Sequence, residues 1–211
     1  MNTETDYWSL IHAERARLAD ALSGLSEDDW SRNTLCADWS VEEVVAHLTA
    51  AANTGTLAWI RSMVLAGFKP DRHNRRRLVE FKGDTPAETL NIYRESIEST
   101  KAPTKDYGAW LGEVIVHGQD IAHPLELTLN PDPGAVIEVA RYFANKDFAV
   151  NSKSLVAGLT LEATDAEFRT GDGPLVSGKL LALVMAMAGR DAFLNELEGD
   201  GGAELRTRMD T

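Results

Sequence analysis

The chain has 211 residues, of which 44% are hydrophobic and 26% are charged, and its formal net charge is −12 at pH 7. This composition is typical of a globular protein, and the length allows one domain of about 150 residues with a smaller second one. The negative charge argues against nucleic acid and against an anionic membrane surface as the main partner, because phosphate groups are bound by basic surfaces.

The compartment is predicted from the cysteine content and from the N-terminus. Cys36 is the only cysteine, so no internal disulfide is possible. The first six residues are polar and acidic and do not form a signal-peptide pattern. No apolar run approaches the roughly 20 residues that span a bilayer. We therefore expect a cytoplasmic protein, since a reducing compartment suits a chain without disulfides.

Helices are predicted over the first two-thirds of the chain. Ser40 with Glu43 three residues later forms a capping box, and Thr85 followed by Pro86 and Glu88 is a second helix-start signal. The basic stretch 69–82 has little apolar periodicity and is interpreted as a loop or a short helix. Helical elements are expected at 6–23, 26–30, 41–66, 85–101, 107–122 and 135–150.

The last third of the chain has a different pattern. Short strands are predicted near 156–164, 167–170 and 175–177, with a turn at Gly171-Asp-Gly-Pro174 between the last two. A buried helix is expected at 178–189, and shorter helices at 190–198 and 203–209. The predicted class is therefore α+β, with an all-helical domain over 1–150 and a small α/β domain over 151–211.

Three residues carry the main chemical signal. Glu113 and His117 are four residues apart in the predicted helix 107–122, so their side chains share one face, one turn apart. His47 lies in an apolar stretch of the helix that follows Ser40. If a bundle brings these two helix faces together, two imidazoles and a carboxylate meet with a fourth position open, which is the arrangement of catalytic zinc.

The order of motifs resembles a known family. Trp39-Ser40-Val41 leading to Ala46-His47-Leu48, and then Leu111-Gly-Glu-Val-Ile-Val-His-Gly-Gln-Asp-Ile121, resembles the mycothiol-dependent maleylpyruvate isomerase family. This family is a branch of the DinB-like metal-binding four-helix bundles. Further matching motifs lie in the last third, at 156–165, 171–174, 183–190 and 199–201.

The resemblance implies a DinB-like up-down four-helix bundle and a C-terminal α/β domain that helps to close the site. It implies a divalent metal, usually zinc, held by His47, Glu113 and His117, with mycothiol as cosubstrate. It also implies that Arg190 matters for activity. This chain departs from many relatives at positions 122 and 123, where those relatives carry two arginines.

The chemistry implied is that of an activated thiol. A metal ionises a bound thiol, and the thiolate is the nucleophile. The thiolate adds to a conjugated cis double bond, the resulting single bond rotates, and elimination gives the trans isomer. Alternatively, the thiol stays on the electrophile as S-transfer. Arg190 is expected to orient a carboxylate or enolate, and Asp120 either to orient a histidine or to cap a helix end.

Two other hypotheses about the function remain open at this point. One is a non-catalytic, stress-associated metal-binding protein, and the other is a zinc hydrolase of a small molecule, for which Asp120 is the available candidate base. The expected partners are a small-molecule thiol and an electrophile, and the expected state is a monomer or homodimer. His12 and His73 are predicted to lie on the surface. Cys36 is expected to be a small buried hydrophobe, because nothing in the sequence places a base beside it.

Overall fold

A computed structural model describes residues 3–36, 39–67, 69–148 and 150–210. Contacts divide the chain into two compact units, Met1–Asn130 and Pro131–Thr211. None of the helices in these described ranges is both long and apolar enough to cross a bilayer.

The first unit is helical and contains a four-helix bundle. Its helices are α1 (Glu4–Leu22), α2 (Glu27–Trp30), α3 (Val41–Asn53), α4 (Thr56–Leu65), α5 (Pro70–Phe81), α6 (Pro86–Glu95) and α7 (Tyr107–Ala122). Helices α1 and α3 each pack against α6 and α7, which closes a ring of four around a common core. The core includes Leu18, Val44, Leu48, Tyr93 and Ile121. Each helix has one apolar stripe, and the bundle buries all four stripes in a single core.

The predicted start of α3 is confirmed. The Ser40 backbone N–H donates to Glu43 Oε2 over 2.9 Å, and the Glu43 backbone N–H donates to Ser40 Oγ over 3.3 Å. These two bonds satisfy N–H groups that have no partner within the helix. The capping box therefore sets the register of α3, and with it the direction in which His47 points.

The helix predicted over 41–66 is two helices. Thr54 adopts an extended backbone, with φ −104° and ψ 108°, and Gly55 continues this extended path before α4 begins. The Thr54 hydroxyl donates to the Ala50 carbonyl over 2.6 Å, which occupies an acceptor at the end of α3. The prediction of a single helix over 41–66 was wrong. Apolar residues continue on both sides of the break, so apolar periodicity does not reveal it.

Two further helix boundaries differ from the predictions. The basic stretch 69–82 forms the regular helix α5, because it packs along α3 despite its polar composition. Helix α6 ends at Glu95 rather than near 101. There, Nη1 of Arg15 on α1 donates to the carbonyls of Ser96, Ile97 and Ser99, which draws the chain out of the helical path.

The second unit is a small α/β domain. Its elements are α8 (Pro133–Asn145), α9 (Ser152–Leu155), β1 (Thr160–Ala163), β2 (Arg169–Thr170), β3 (Leu175–Gly178), α10 (Leu180–Met187), a 3₁₀ helix (Asp191–Glu196) and α11 (Gly202–Met209). The strand order is β2-β1-β3, with β1 antiparallel to β2 and parallel to β3. The predicted α+β class, a helical bundle followed by a small α/β domain, is confirmed.

Helix α8 belongs by its contacts to the second unit. It packs against α10, which is apolar on nearly all sides and is buried between α8 and the sheet. The contact-based boundary therefore lies at Asn130, whereas the sequence pattern placed the division at 150. The reason is that α8 looks like one more bundle helix in sequence, and its partner α10 follows some 35 residues later.

Candidate metal centre

The three predicted ligands lie together in the first unit. Nε2 of His47 is 2.7 Å from Oε1 of Glu113, and Nε2 of His117 is 3.7 Å from the same oxygen. One donor atom from each of the three side chains lies within 4.8 Å of the other two. Helices α3 and α7 pack on each other, so the His47 face meets the face that carries Glu113 and His117. The geometry is that expected from the sequence, and ligation itself stays a prediction.

The three donor side chains are largely shielded from solvent. Their side chains are 10% (His47), 17% (Glu113) and 12% (His117) exposed. A buried carboxylate is costly unless it is compensated by hydrogen bonds or by a positive charge. Here it lies between two imidazoles whose rings stand edge to face with centroids 5.2 Å apart. This donor set suits a zinc-like divalent ion, because two imidazole nitrogens and one carboxylate oxygen leave a fourth position for a ligand.

Asp120 holds the second nitrogen of His117. Its Oδ2 lies 2.9 Å from Nδ1 of His117, and the side chain is fully buried. This contact leaves Nε2 of His117 directed towards Glu113. A carboxylate in this position typically fixes the orientation of a metal-ligating imidazole.

The pKa of His117 reflects the same two carboxylates. Burial by itself lowers this pKa, but the hydrogen bonds to Asp120 and to Cys36, together with the charges of Glu113 and Asp120, outweigh burial and raise it to about 10. In the metal-free protein His117 therefore carries a proton, and its positive charge compensates the nearby carboxylates of Glu113 and Asp120. A metal that binds there displaces that proton, because a ligating imidazole must be neutral.

Cys36 lies beside this centre. Its sulfur lies within 4.8 Å of a ring nitrogen of His117 and of a carboxylate oxygen of Asp120, so these three residues form a second set of neighbouring donor atoms. The backbone N–H of Leu35 donates to the Asp120 carbonyl over 3.0 Å, which ties this loop to α7. The expectation that no base lies near Cys36 is therefore wrong. The loop and α7 are far apart in sequence, and only packing joins them.

Trp39 lies against one side of the centre. Its ring centroid is 4.9 Å from that of His47, with the planes tilted by 56°. Trp39 also packs partly against the bundle core. The indole therefore shields His47 from solvent on that side.

His73 is not a surface residue, contrary to the prediction. It is 8% exposed, and its Nδ1 lies 2.8 Å from Oγ of Ser62, which is also 8% exposed. The burial of these two residues was not predicted, because the stretch 69–82 was interpreted as a loop or a short helix with no buried face. The available signal was the proline at position 70, which is typical of a first helical position.

A small cavity borders Glu113 within the first unit. It is lined by Arg15, Leu48, Ala51, Lys101, Trp110, Glu113 and Val114. The Arg15 guanidinium is engaged with backbone carbonyls, and burial lowers its pKa. The cavity has room for about one water molecule, so it is not a substrate pocket.

Arg190 belongs to the second unit. It precedes the 3₁₀ helix and is partly buried, and its Nη1 donates to the Ala188 carbonyl over 2.7 Å. The extended backbone at Arg190 follows Gly189, whose φ of 81° turns the chain at the end of α10. The role of Arg190 in a reaction stays a prediction.

Comparisons with known proteins point to one family. Residues 11–106 match the family model described as "Mycothiol maleylpyruvate isomerase N-terminal domain". This segment contains His47, whereas Glu113 and His117 lie beyond it. None of the curated proteins compared with this chain matches it in sequence.

Two solved structures share the fold. A mycothiol-dependent maleylpyruvate isomerase is 16% identical over 95% of this chain and 94% of its own, with a TM-score of 0.65. A mutant of that isomerase is 15% identical over the same shares, also with a TM-score of 0.65. At this identity the likeness establishes the fold of this chain.

Proposed function

We propose that this chain belongs to the mycothiol-dependent maleylpyruvate isomerase family and is an enzyme that uses mycothiol as cosubstrate, because residues 11–106 match the family model of its N-terminal domain. The proposed reaction is cis–trans isomerisation of a small conjugated electrophile. The observation that carries the proposal is the buried cluster of His47, Glu113 and His117, with Asp120 behind His117. We propose a cytoplasmic location, since a single cysteine suits a reducing compartment.

We further propose that His47, Glu113 and His117 hold a divalent metal, with zinc the best fit to the donors. When bound, the metal supplies a positive charge that keeps the cosubstrate thiol ionised at neutral pH. A free thiol with a pKa near 8.5 is only a few per cent ionised at pH 7. Glu113 lies between the two imidazoles, so its charge balances part of the cation.

The roles of the surrounding residues follow from their contacts. Asp120 holds Nδ1 of His117, so that the Nε2 lone pair faces the centre. Trp39 shields His47 and keeps water away from that side. A dry site strengthens the electrostatic interaction between the thiolate and its surroundings, because little solvent screens it.

The bond changes in the proposed reaction are balanced. The thiolate sulfur forms a bond to one alkene carbon, and the alkene electrons move into the carbonyl to give an enolate. The former double bond rotates as a single bond, and elimination expels the thiolate and restores the alkene as the trans isomer. Arg190 is proposed to stabilise the carboxylate or enolate as a charged hydrogen-bond donor. If the adduct is instead protonated and released, the outcome is S-transfer.

The test measures metal content first and catalytic turnover second. The metal content of the wild type and of His47→Ala is measured after purification without chelator, and thiol loss and isomerisation are followed with a panel of cis-enones. We expect stoichiometric metal and turnover in the wild type and loss of both in His47→Ala. A wild type without metal would refute the metal centre. Metal without thiol binding would favour a non-catalytic metal-binding protein.

Hydrolysis is the less favoured chemistry. A hydrolase needs a base that is accessible to water, and Asp120 was the candidate. Its carboxylate is fully buried and bonded to His117, so it is poorly placed to take a proton from water.

A further inference from the structure

A second group of donor atoms lies beside the candidate metal centre. The sulfur of Cys36, a ring nitrogen of His117 and a carboxylate oxygen of Asp120 all lie within 4.8 Å of one another. A tetrahedral ion with bonds of about 2.0 to 2.3 Å holds its ligand atoms roughly 3.5 Å apart. Small side-chain rotations therefore suffice to bring these three donors to one ion. Asp120 is fully buried, whereas Cys36 is partly exposed, so an ion can approach from the Cys36 side.

The two ring nitrogens of His117 face different groups. Nε2 is 3.7 Å from Oε1 of Glu113, and Nδ1 is 2.9 Å from Oδ2 of Asp120. An imidazole can ligate a metal through either nitrogen. The first donor set (His47, Glu113 and His117) can therefore use Nε2, while the second donor set (Cys36, His117 and Asp120) uses Nδ1. An ion in one set leaves the nitrogen of the other set available.

The loop between α2 and α3 holds Cys36 in place. The backbone N–H of Leu35 donates to the Asp120 carbonyl over 3.0 Å, which ties the loop to α7. The backbone N–H of Cys36 donates to Oγ1 of Thr34 over 3.1 Å, and the backbone N–H of Trp39 donates to the Cys36 carbonyl, also over 3.1 Å. These bonds fix the Cys36 backbone on both sides, so the three donors are near one another before an ion binds.

The sulfur makes the second donor set chemically different from the first. The first set offers two imidazole nitrogens and a carboxylate oxygen, whereas the second offers one sulfur, one nitrogen and one oxygen. Thiolate ligands favour soft and borderline ions over hard ones. The carboxylate of Asp120 is fully buried, and a bound cation offsets the cost of burying that charge. The second set therefore suits a thiophilic divalent ion.

We propose that Cys36, His117 and Asp120 form a second cation site, which is selective for thiophilic divalent ions and shares only His117 with the first donor set. This inference goes beyond the proposed function, because it requires neither mycothiol nor turnover. An ion in this site engages the carboxylate that orients His117. Binding of a soft metal is thereby linked to the geometry of the first set.

A purely structural role for Cys36 predicts different behaviour. Cys36 packs partly against the core of the bundle. If it serves only as a small apolar side chain, no bound ion contacts its sulfur, and Cys36→Ser binds metal as the wild type does. Because Cys36 is the only cysteine in the chain, any thiolate signal from a bound ion is assigned to this residue.

The experiment uses Cd²⁺, a soft ion with the charge of Zn²⁺, as the probe. Full-length protein is freed of metal with a chelator and kept reduced with a phosphine, so that no added thiol can bind. Cd²⁺ is then titrated in, and the ultraviolet charge-transfer absorption from sulfur to cadmium is recorded. We expect two ions per chain and this absorption in the wild type. Cys36→Ser should bind one ion without the absorption, and His47→Ala should bind one ion and keep it.

The outcomes separate the two sites. A wild type without the absorption, or an absorption that persists in Cys36→Ser, would overturn the second site. Loss of the absorption in folded His47→Ala would also overturn it, because Cys36 would then be a ligand of the ion in the first donor set. If His47→Ala keeps both ions and the absorption, the first site of the proposed function is refuted and the second is supported.

A second measurement uses only the wild type and does not depend on a variant folding well. The cadmium NMR spectrum of the loaded protein distinguishes ions by their ligands, because sulfur moves the resonance far downfield. We expect one resonance in the sulfur-bound region and one in the region of nitrogen and oxygen ligands. Resonances in the nitrogen and oxygen region alone would refute the second site.

Discussion

The Oδ2 atom of Asp120 lies 2.9 Å from Nδ1 of His117, and the two residues are one turn apart on α7. The same imidazole directs its Nε2 towards Glu113. One helix therefore supplies a proposed ligand, the carboxylate that orients it, and a second proposed ligand. The relative positions of Glu113, His117 and Asp120 are set within α7 itself, whereas His47 comes close to them only because α3 packs on α7.

Replacing Asp120 tests this orientation. Asp120→Asn retains the size of the side chain but removes its charge, so we expect zinc affinity to fall by about 10- to 100-fold. Affinity is measured by competition with a chromophoric chelator. Asp28→Asn is the control, because Asp28 is an exposed acid on α2, and its zinc affinity should match the wild type. Unchanged affinity in Asp120→Asn would show that the contact does not support the centre.

The depressed pKa of His73 predicts a pH dependence of stability. Because the folded state resists protonation of this residue, stability is lost as the pH falls from the ordinary histidine value, about 6.5, towards the lower folded value. We expect the free energy of unfolding of metal-free protein to fall less between pH 7 and pH 5 in His73→Asn than in the wild type. Urea unfolding at both pH values measures this. Parallel losses in both proteins would contradict it.

The capping box of α3 predicts a stability cost without loss of the fold. Ser40→Ala removes the hydroxyl that accepts from the Glu43 backbone N–H, and should lower the free energy of unfolding by about 1 kcal/mol. Thr85→Ala at the start of α6 removes an equivalent bond to Glu88 and should cost a similar amount. Urea unfolding of the two variants checks this. No loss in Ser40→Ala would mean that the box does not stabilise α3.

Two glycines of the second unit give a matched pair. Gly171 has a φ of 83°, and a Cβ there would overlap the Leu159 carbonyl oxygen, so Gly171→Ala should cost about 2 kcal/mol or more. Gly158 has a φ of 75° with open space around it, so Gly158→Ala should cost about 1 kcal/mol. Thermal unfolding compares the two, and equal losses would show that the close approach at Gly171 contributes nothing.

Local signals in the sequence determined the helix starts and one half of the candidate centre. The capping box at Ser40 and the start at Thr85 depend on bonds within a single turn, so residues three apart were enough to predict them. The pairing of Glu113 with His117 depends on helical spacing alone. The motif order predicted that His47 would join them and that an α/β unit would follow.

Tertiary structure alone decided the rest. The break at Thr54, the end of α6 under Arg15 and the helical state of 69–82 all depend on contacts between segments distant in sequence. Cys36 meets His117, and His73 meets Ser62, for the same reason. These contacts are made by particular side chains across the bundle, and apolar periodicity shows which face of a helix is buried but not which distant residues that face meets.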